Sequence, residues 1–164
     1  MLGRVVIVML MFGSLLFPPY GIAQEDVENS KDHPLFSRMK DFYIDDYQQN
    51  FDLVEFTCMV EGEEKEMALE GNVTRINYYI KDDKQSPSPF QIVKNHLQAA
   101  ESLGAEIIEK GRERAVMKVS IDGRKAWVIV EVFNGGEAYT LRVIQMEEME
   151  QEVSAGNLMD ELSK

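Results

Sequence analysis

Residues able to do chemistry crowd into one stretch near the start of the chain, "KDHPLFSRMKDFYIDDYQQNFD", residues 31–52. It holds His33 and the carboxylates Asp41, Asp45, Asp46 and Asp52. A calcium loop needs alternating oxygen ligands, a glycine at its sharp bend and a distal bidentate carboxylate. "DFYIDDYQQNFD" has no glycine and interleaves its aspartates with aromatics, so no metal is expected there. Asp45 and Asp46 could also act as the acid and base of a hydrolase. That chemistry needs a fixed separation and one raised pKa, and spacing supplies neither. A solvated strand edge is the better reading, with the Asp45/Asp46 hydrolase as an alternative.

Other reactive residues stand alone. His33 is held extended by Pro34. His96 is expected at the boundary of an amphipathic helix. Neither has a His or Cys neighbour at metal-ligand spacing. Cys58, the single cysteine, alternates in phase with Val54, Phe56 and Val60, which reads as a small buried hydrophobe on a strand. No serine sits in a G-x-S-x-G elbow. Gly135-Gly136 lacks the Lys-Ser/Thr and helix start of a phosphate loop. Asn72-Val73-Thr74 matches a glycosylation sequon, a short pattern that is common by chance. The expectation is a non-enzymatic protein without a cofactor. The same stretch is rich in aromatics, and Phe36, Phe42, Tyr43, Tyr47 and Phe51 are the candidate binding residues. Aromatics line pockets but fill cores more often. Leu35, Phe36, Phe42, Ile44 and Tyr47 are expected to pin an extended strap onto the domain, with the aspartates facing water.

The elements that must position these residues follow from period and punctuation. From Leu53 the pattern alternates, giving a strand to Val60, a turn at "EGEEK" (61–65) and a second strand over 67–80 with a bulge or bend at Gly71-Asn72. Ser88, Pro89 and Gln91 make a helix start: a cap, a first-turn proline and a reciprocal partner. Phe90, Val93, Leu97, Ala100 and Leu103 form the apolar stripe, and Gly104 ends the helix. Residues 105–121 read as an irregular hairpin or one bent strand. Asp122-Gly123 is a hairpin turn, and 125–133 is apolar on both faces, as for a central strand. Tyr139, Leu141 and Val143 alternate in a last strand, and a weak amphipathic helix follows from Met146. The fold class is α+β: an antiparallel sheet (β-hairpin, helix, β-meander) with one main helix packed on one face and a weak C-terminal helix.

Residues 1–23 have the layout of a secretory signal: Arg4, an apolar run over 5–17, Pro18-Pro19, and small residues Gly21 and Ala23 before a cleavage point. An uncleaved anchor is the alternative, but the run is shorter than the ~20 residues a span needs. The expected organisation is signal 1–23, a flexible lead-in 24–31 and one domain over 32–164, with no transmembrane segment after cleavage. Arg4 is the signal's only charge, so the remainder carries 16 Lys+Arg against 29 Asp+Glu. That balance disfavours nucleic acid, whose binding needs cations to displace counterions. A lone cysteine in an exported chain implies no internal disulfide.

Several blocks in order resemble known proteins: "DHPLFSR" (32–38), "YIDDY…FD" (43–52), "EG…TRINYYI" (70–80), "SPFQIVKNHLQAAESLGAEII" (88–108), "DGRKAWVIVEVFNGGEAYTLRVIQ" (122–145) and "MEQEV" (149–153). They are similar to the region preceding the peptidoglycan-binding domain in bacterial OmpA-family envelope proteins. "MKD" (39–41) departs from the Pro-Gly usual there. No residues up to Lys164 match the peptidoglycan-binding domain, so its ligand residues are not carried over. The resemblance implies a periplasmic location and an accessory module whose partner is an envelope protein or glycan. A small-molecule- or lipid-binding module is the alternative, motivated by the aromatics.

Overall fold

The computed structural model describes residues 24–121 and 123–147. The expected signal segment lies outside them, as does the expected C-terminal helix beyond residue 147. Within them the chain is α+β. One six-stranded sheet has the order β1-β2-β6-β5-β4-β3, and every neighbouring pair is antiparallel. The strands are β1 (Phe42–Val60), β2 (Glu63–Ile80), β3 (Glu106–Lys110), β4 (Arg114–Ile121), β5 (Arg124–Phe133) and β6 (Ala138–Met146). The helix α1 (Pro89–Ser102) connects β2 to β3.

The β1–β2 turn is tighter than expected. Glu61 and Gly62 both have positive φ, 56° and 86°, the left-handed pair that a two-residue hairpin uses. β1 also starts at Phe42 rather than Leu53. A register shift between Ile44 and Asp46 places a bulge at Asp45. Phe42 and Ile44 point into the core beside the helix, and after the extra residue Tyr47 turns to that side. This phase reversal is why the stretch shows no clean period, and why its second half is strand rather than strap.

The helix forms on its local signals. The Ser88 hydroxyl accepts from Gln91 N–H at 3.2 Å. Gly104, at φ 73°, lets its own N–H reach Glu101 O and that of Ala105 reach Ala100 O, both at 3.0 Å. The buried face differs from the expected stripe. Phe90 and Leu103 are exposed, whereas Ile92, Val93, His96, Leu97 and Ala100 are buried. His96 is therefore central rather than at the boundary. The Phe36 and Tyr139 rings pack against it, with centroids at 6.3 and 5.2 Å, and this contact sets the helix's rotation.

The sheet carries a core on each face. One lies under α1 and the N-terminal strap. The other forms because the hairpin outgrows the sheet. Residues 71–79 of β2 pair with β6, but 63–70 pair with β1 alone. This free arm curls over the opposite face, so Val54, Phe56, Cys58 and Leu69 meet Val116, Trp127, Ile129 and Ile144. Phe56 stands edge-on to Trp127 at 5.9 Å. β5, buried on both faces over residues 126–130, is the central strand its composition implied. The register shows no bulge at Gly71. A Cβ there would lie 2.0 Å from Gln145 O, so glycine serves a close backbone approach where the arm departs. Residues 105–121 are the hairpin, with an irregularity between Ile107 and Glu109.

The strap is anchored by polar contacts as well as by Phe36. Arg38 binds Asp26 at 2.7 Å and Asp32 at 3.0 Å, and Tyr78 O–H donates to Asp32 at 3.0 Å. The Tyr139 hydroxyl accepts from Met39 N–H at 2.9 Å. Residues 24–31, expected as a flexible lead-in, are instead tied to β1 and to Asp82. Val27 N–H donates to Ile44 O at 2.9 Å, and the Gln24 amide donates to Asp82 at 2.9 Å.

Candidate functional site

The five candidate aromatics do not converge. Phe36 and Phe42 are buried and fill the core, while Tyr43, Tyr47 and Phe51 are half-buried along β1. Asp45 is exposed at the bulge. Asp46 is committed, binding Arg75 at 3.0 Å and accepting from the Asn77 amide at 3.3 Å. Cys58 is buried in the second core, where burial and then Glu109 push its thiol pKa up. His96 is buried, and its Nδ1–H donates to Ile92 O at 2.9 Å. No group of three or more His, Cys, Asp or Glu is placed to hold a metal among the described residues.

Two features bring functional groups together. The first is the outer margin of β1. Near its start, both backbone groups of Ile44 face outward and are satisfied, N–H by Asp26 and C=O by Val27 N–H, each at 2.9 Å. Arg38 holds the Asp26 carboxyl below its usual pKa. Near the other end, Arg114 donates to Thr57 O at 2.8 Å and Met59 N–H donates to Glu109 at 3.0 Å. The register is unbroken from Asp46 to Val60, so the odd-numbered residues of that span face outward. Leu53 N–H is taken by its neighbour Asp52 at 2.9 Å. The other outward backbone groups of Tyr47, Gln49, Phe51, Leu53 and Glu55 have no protein partner among the described residues. The edge is guarded at both ends and open between them.

The second feature is the part of the sheet face that the arm leaves uncovered. Arg75 and Arg142 are direct cross-strand partners on β2 and β6. Arg75 is bound to Asp46, yet its Nε is buried without a hydrogen-bond partner. Arg142 is half-buried and has no ion-pair or hydrogen-bond partner among the described residues. The nearby carboxylate Glu131 is held by Arg114 at 3.1 Å. One step along the strands, Thr140 O–H donates to Asn77 Oδ1 at 2.8 Å. Beyond them a recess of about 280 Å³ is lined by Asp45, Asn77, Tyr79, Phe133 and Thr140 among others. Tyr79 and Phe133 are exposed. The sequence carries no local signal for this pair of arginines, because 66 intervening residues separate positions that only the β2–β6 register makes adjacent.

Compared with known proteins, the chain matches no family model and no curated sequence.

Proposed function

We propose that this chain is an exported, non-enzymatic binding module of the cell envelope, which takes an extended segment of a partner protein along the open edge of β1. The observation that carries this reading is the run of outward backbone groups over residues 47–55, flanked by protected ends. Such an edge is a template for strand addition, and proteins with no use for one usually cover, charge or shorten it. The secretory layout of residues 1–23 supports the location, as does the resemblance to envelope proteins. The reading as a non-enzyme is supported by the commitments of Asp46, Cys58 and His96 described above.

The test is site-specific crosslinking in envelope extract. A photoreactive residue at Gln49 is expected to capture a partner that one at Lys94, exposed on α1, does not. Gln49→Pro removes an outward N–H while sparing the β1–β2 ladder. It is expected to abolish partner capture by a photoreactive residue at Phe51, with the melting temperature little changed. Equal capture from Gln49 and Lys94 would exclude the edge as the site.

A further inference from the structure

The uncovered face of the sheet holds an arrangement that stability alone does not explain. Like charges directly opposite on neighbouring strands repel, with Cβ atoms only about 5 Å apart. This chain has 29 acidic residues against 17 basic ones, yet it sets Arg75 opposite Arg142 and gives only Arg75 a carboxylate. Asp46 is spent on Arg75 and Asn77, and Glu131 on Arg114. Two donor groups of the pair stay unpartnered among the described residues: the Arg142 guanidinium and the buried Nε of Arg75. Planar guanidinium donors match the paired oxygens of a carboxylate or phosphate. The row of Asn77 and Thr140 lies two residues further along, about 7 Å away at strand rise. The recess walled by Tyr79 and Phe133 begins there. A six-membered ring with a charged substituent spans that distance, and exposed aromatic rings give it an apolar surface to lie on.

We propose that Arg75 and Arg142 form the binding site for a carboxylate- or phosphate-bearing small molecule whose ring occupies the recess between Tyr79 and Phe133. The ligand's oxyanion bridges the two guanidiniums and removes their repulsion. Its ring meets Asn77, Thr140 and the two aromatic side chains. Asp45 at the β1 bulge borders the recess, but the site uses side chains on the sheet face and none of the outward backbone groups of residues 47–55, so it is tested separately from partner binding there.

The test uses the purified protein and four probes at constant ionic strength: inorganic phosphate, glucose 6-phosphate, glucuronate and neutral glucose. Calorimetry or NMR titration is expected to show binding of the three anions and none of glucose. The stronger of the two sugar anions identifies the preferred oxyanion. Arg142→Met is expected to weaken anion binding about tenfold or more, as loss of a charge-assisted hydrogen-bond pair implies. It is also expected to raise the melting temperature of the ligand-free protein, because it removes the like-charge pair. Phe133→Ser is expected to weaken both sugar anions while leaving inorganic phosphate unchanged. The proposal is overturned if no anion binds beyond a chloride control. It is equally overturned if Arg142→Met binds as the wild type does, or if it lowers the ligand-free melting temperature.

Discussion

His96 shows how a single residue can report on packing that composition conceals. Its Nδ1–H is paired with Ile92 O, so the neutral ring leaves Nε2 as an acceptor, and that atom is buried without a partner. Burial lowers the His96 pKa from 6.5, while the bond to Ile92 opposes the shift. His33 is lowered by burial as well. A histidine whose folded pKa lies below its unfolded value leaves stability intact above pH 6.5. Below that, the unfolded chain binds protons that the folded chain refuses, so stability falls until the folded pKa is passed. The melting temperature is therefore expected to drop between about pH 6.5 and 5. His96→Leu should flatten part of that slope, leaving the share of His33; an unchanged slope would place the titration elsewhere. Phe36, which packs on the same ring, is 2% exposed. Phe36→Ala is expected to cost about 3 kcal/mol or more in chemical denaturation, the usual loss for a buried aromatic. Phe36 is among the residues expected from sequence to pin the strap, but the central place of His96 is not legible there. The helical period placed His96 beside the apolar stripe, and only the strap crossing from the other end of the chain makes that side the interior.

At the scale of elements, legibility tracks how local the cause is. The helix could be read from Ser88, Pro89, Gln91 and Gly104 because a cap acts within one turn. The central character of β5 could be read because burial on both faces leaves a continuous apolar run. The start of β1 could not, since the bulge at Asp45 reverses its alternation. The curled arm could not either: its apolar side predicts that something covers it, without saying that it folds back on its own sheet. That geometry rests on Gly71, where any side chain would collide with the Gln145 carbonyl. Gly71→Ala should lift the arm and open the second core. Cys58 reports this directly, since its thiol is buried beneath the arm and its raised pKa keeps the thiolate scarce. Alkylation of native protein is expected to be slow, and about tenfold or more faster in Gly71→Ala, by the arithmetic of a local opening made about 1.4 kcal/mol easier. If labelling quickens only when the whole domain unfolds, the arm is not a separately opening unit.

Charge acts on the whole molecule. The chain carries a formal net charge of −12. Between residues 52 and 70, Asp52, Glu55, Glu61, Glu63, Glu64, Glu66 and Glu70 face a single cation, Lys65. None of these acids is in an ion pair among the described residues; the carboxylates that pair are others, such as Asp26, Asp32, Asp46, Glu109 and Glu131. Salt therefore acts in two directions. It weakens those pairs, but they are partly exposed and worth about 0–1 kcal/mol each. It also screens the repulsion along the arm, which at about 0.01 M extends over roughly 30 Å and at 0.15 M over roughly 8 Å. Repulsion between many unpaired carboxylates outweighs a few weak pairs, so the melting temperature is expected to rise over that range of salt. Glu61→Gln, Glu63→Gln and Glu64→Gln together should reduce the rise, because they discharge the hairpin tip. The same field selects the partner proposed for the β1 edge, since an extended segment approaching the arm is drawn in if basic and repelled if acidic. Its association rate should fall steeply with salt, and the charge-neutralised arm should lose both the fast rate and most of its salt dependence. A rate indifferent to salt would mean that backbone pairing alone, without the acidic arm, recruits the partner.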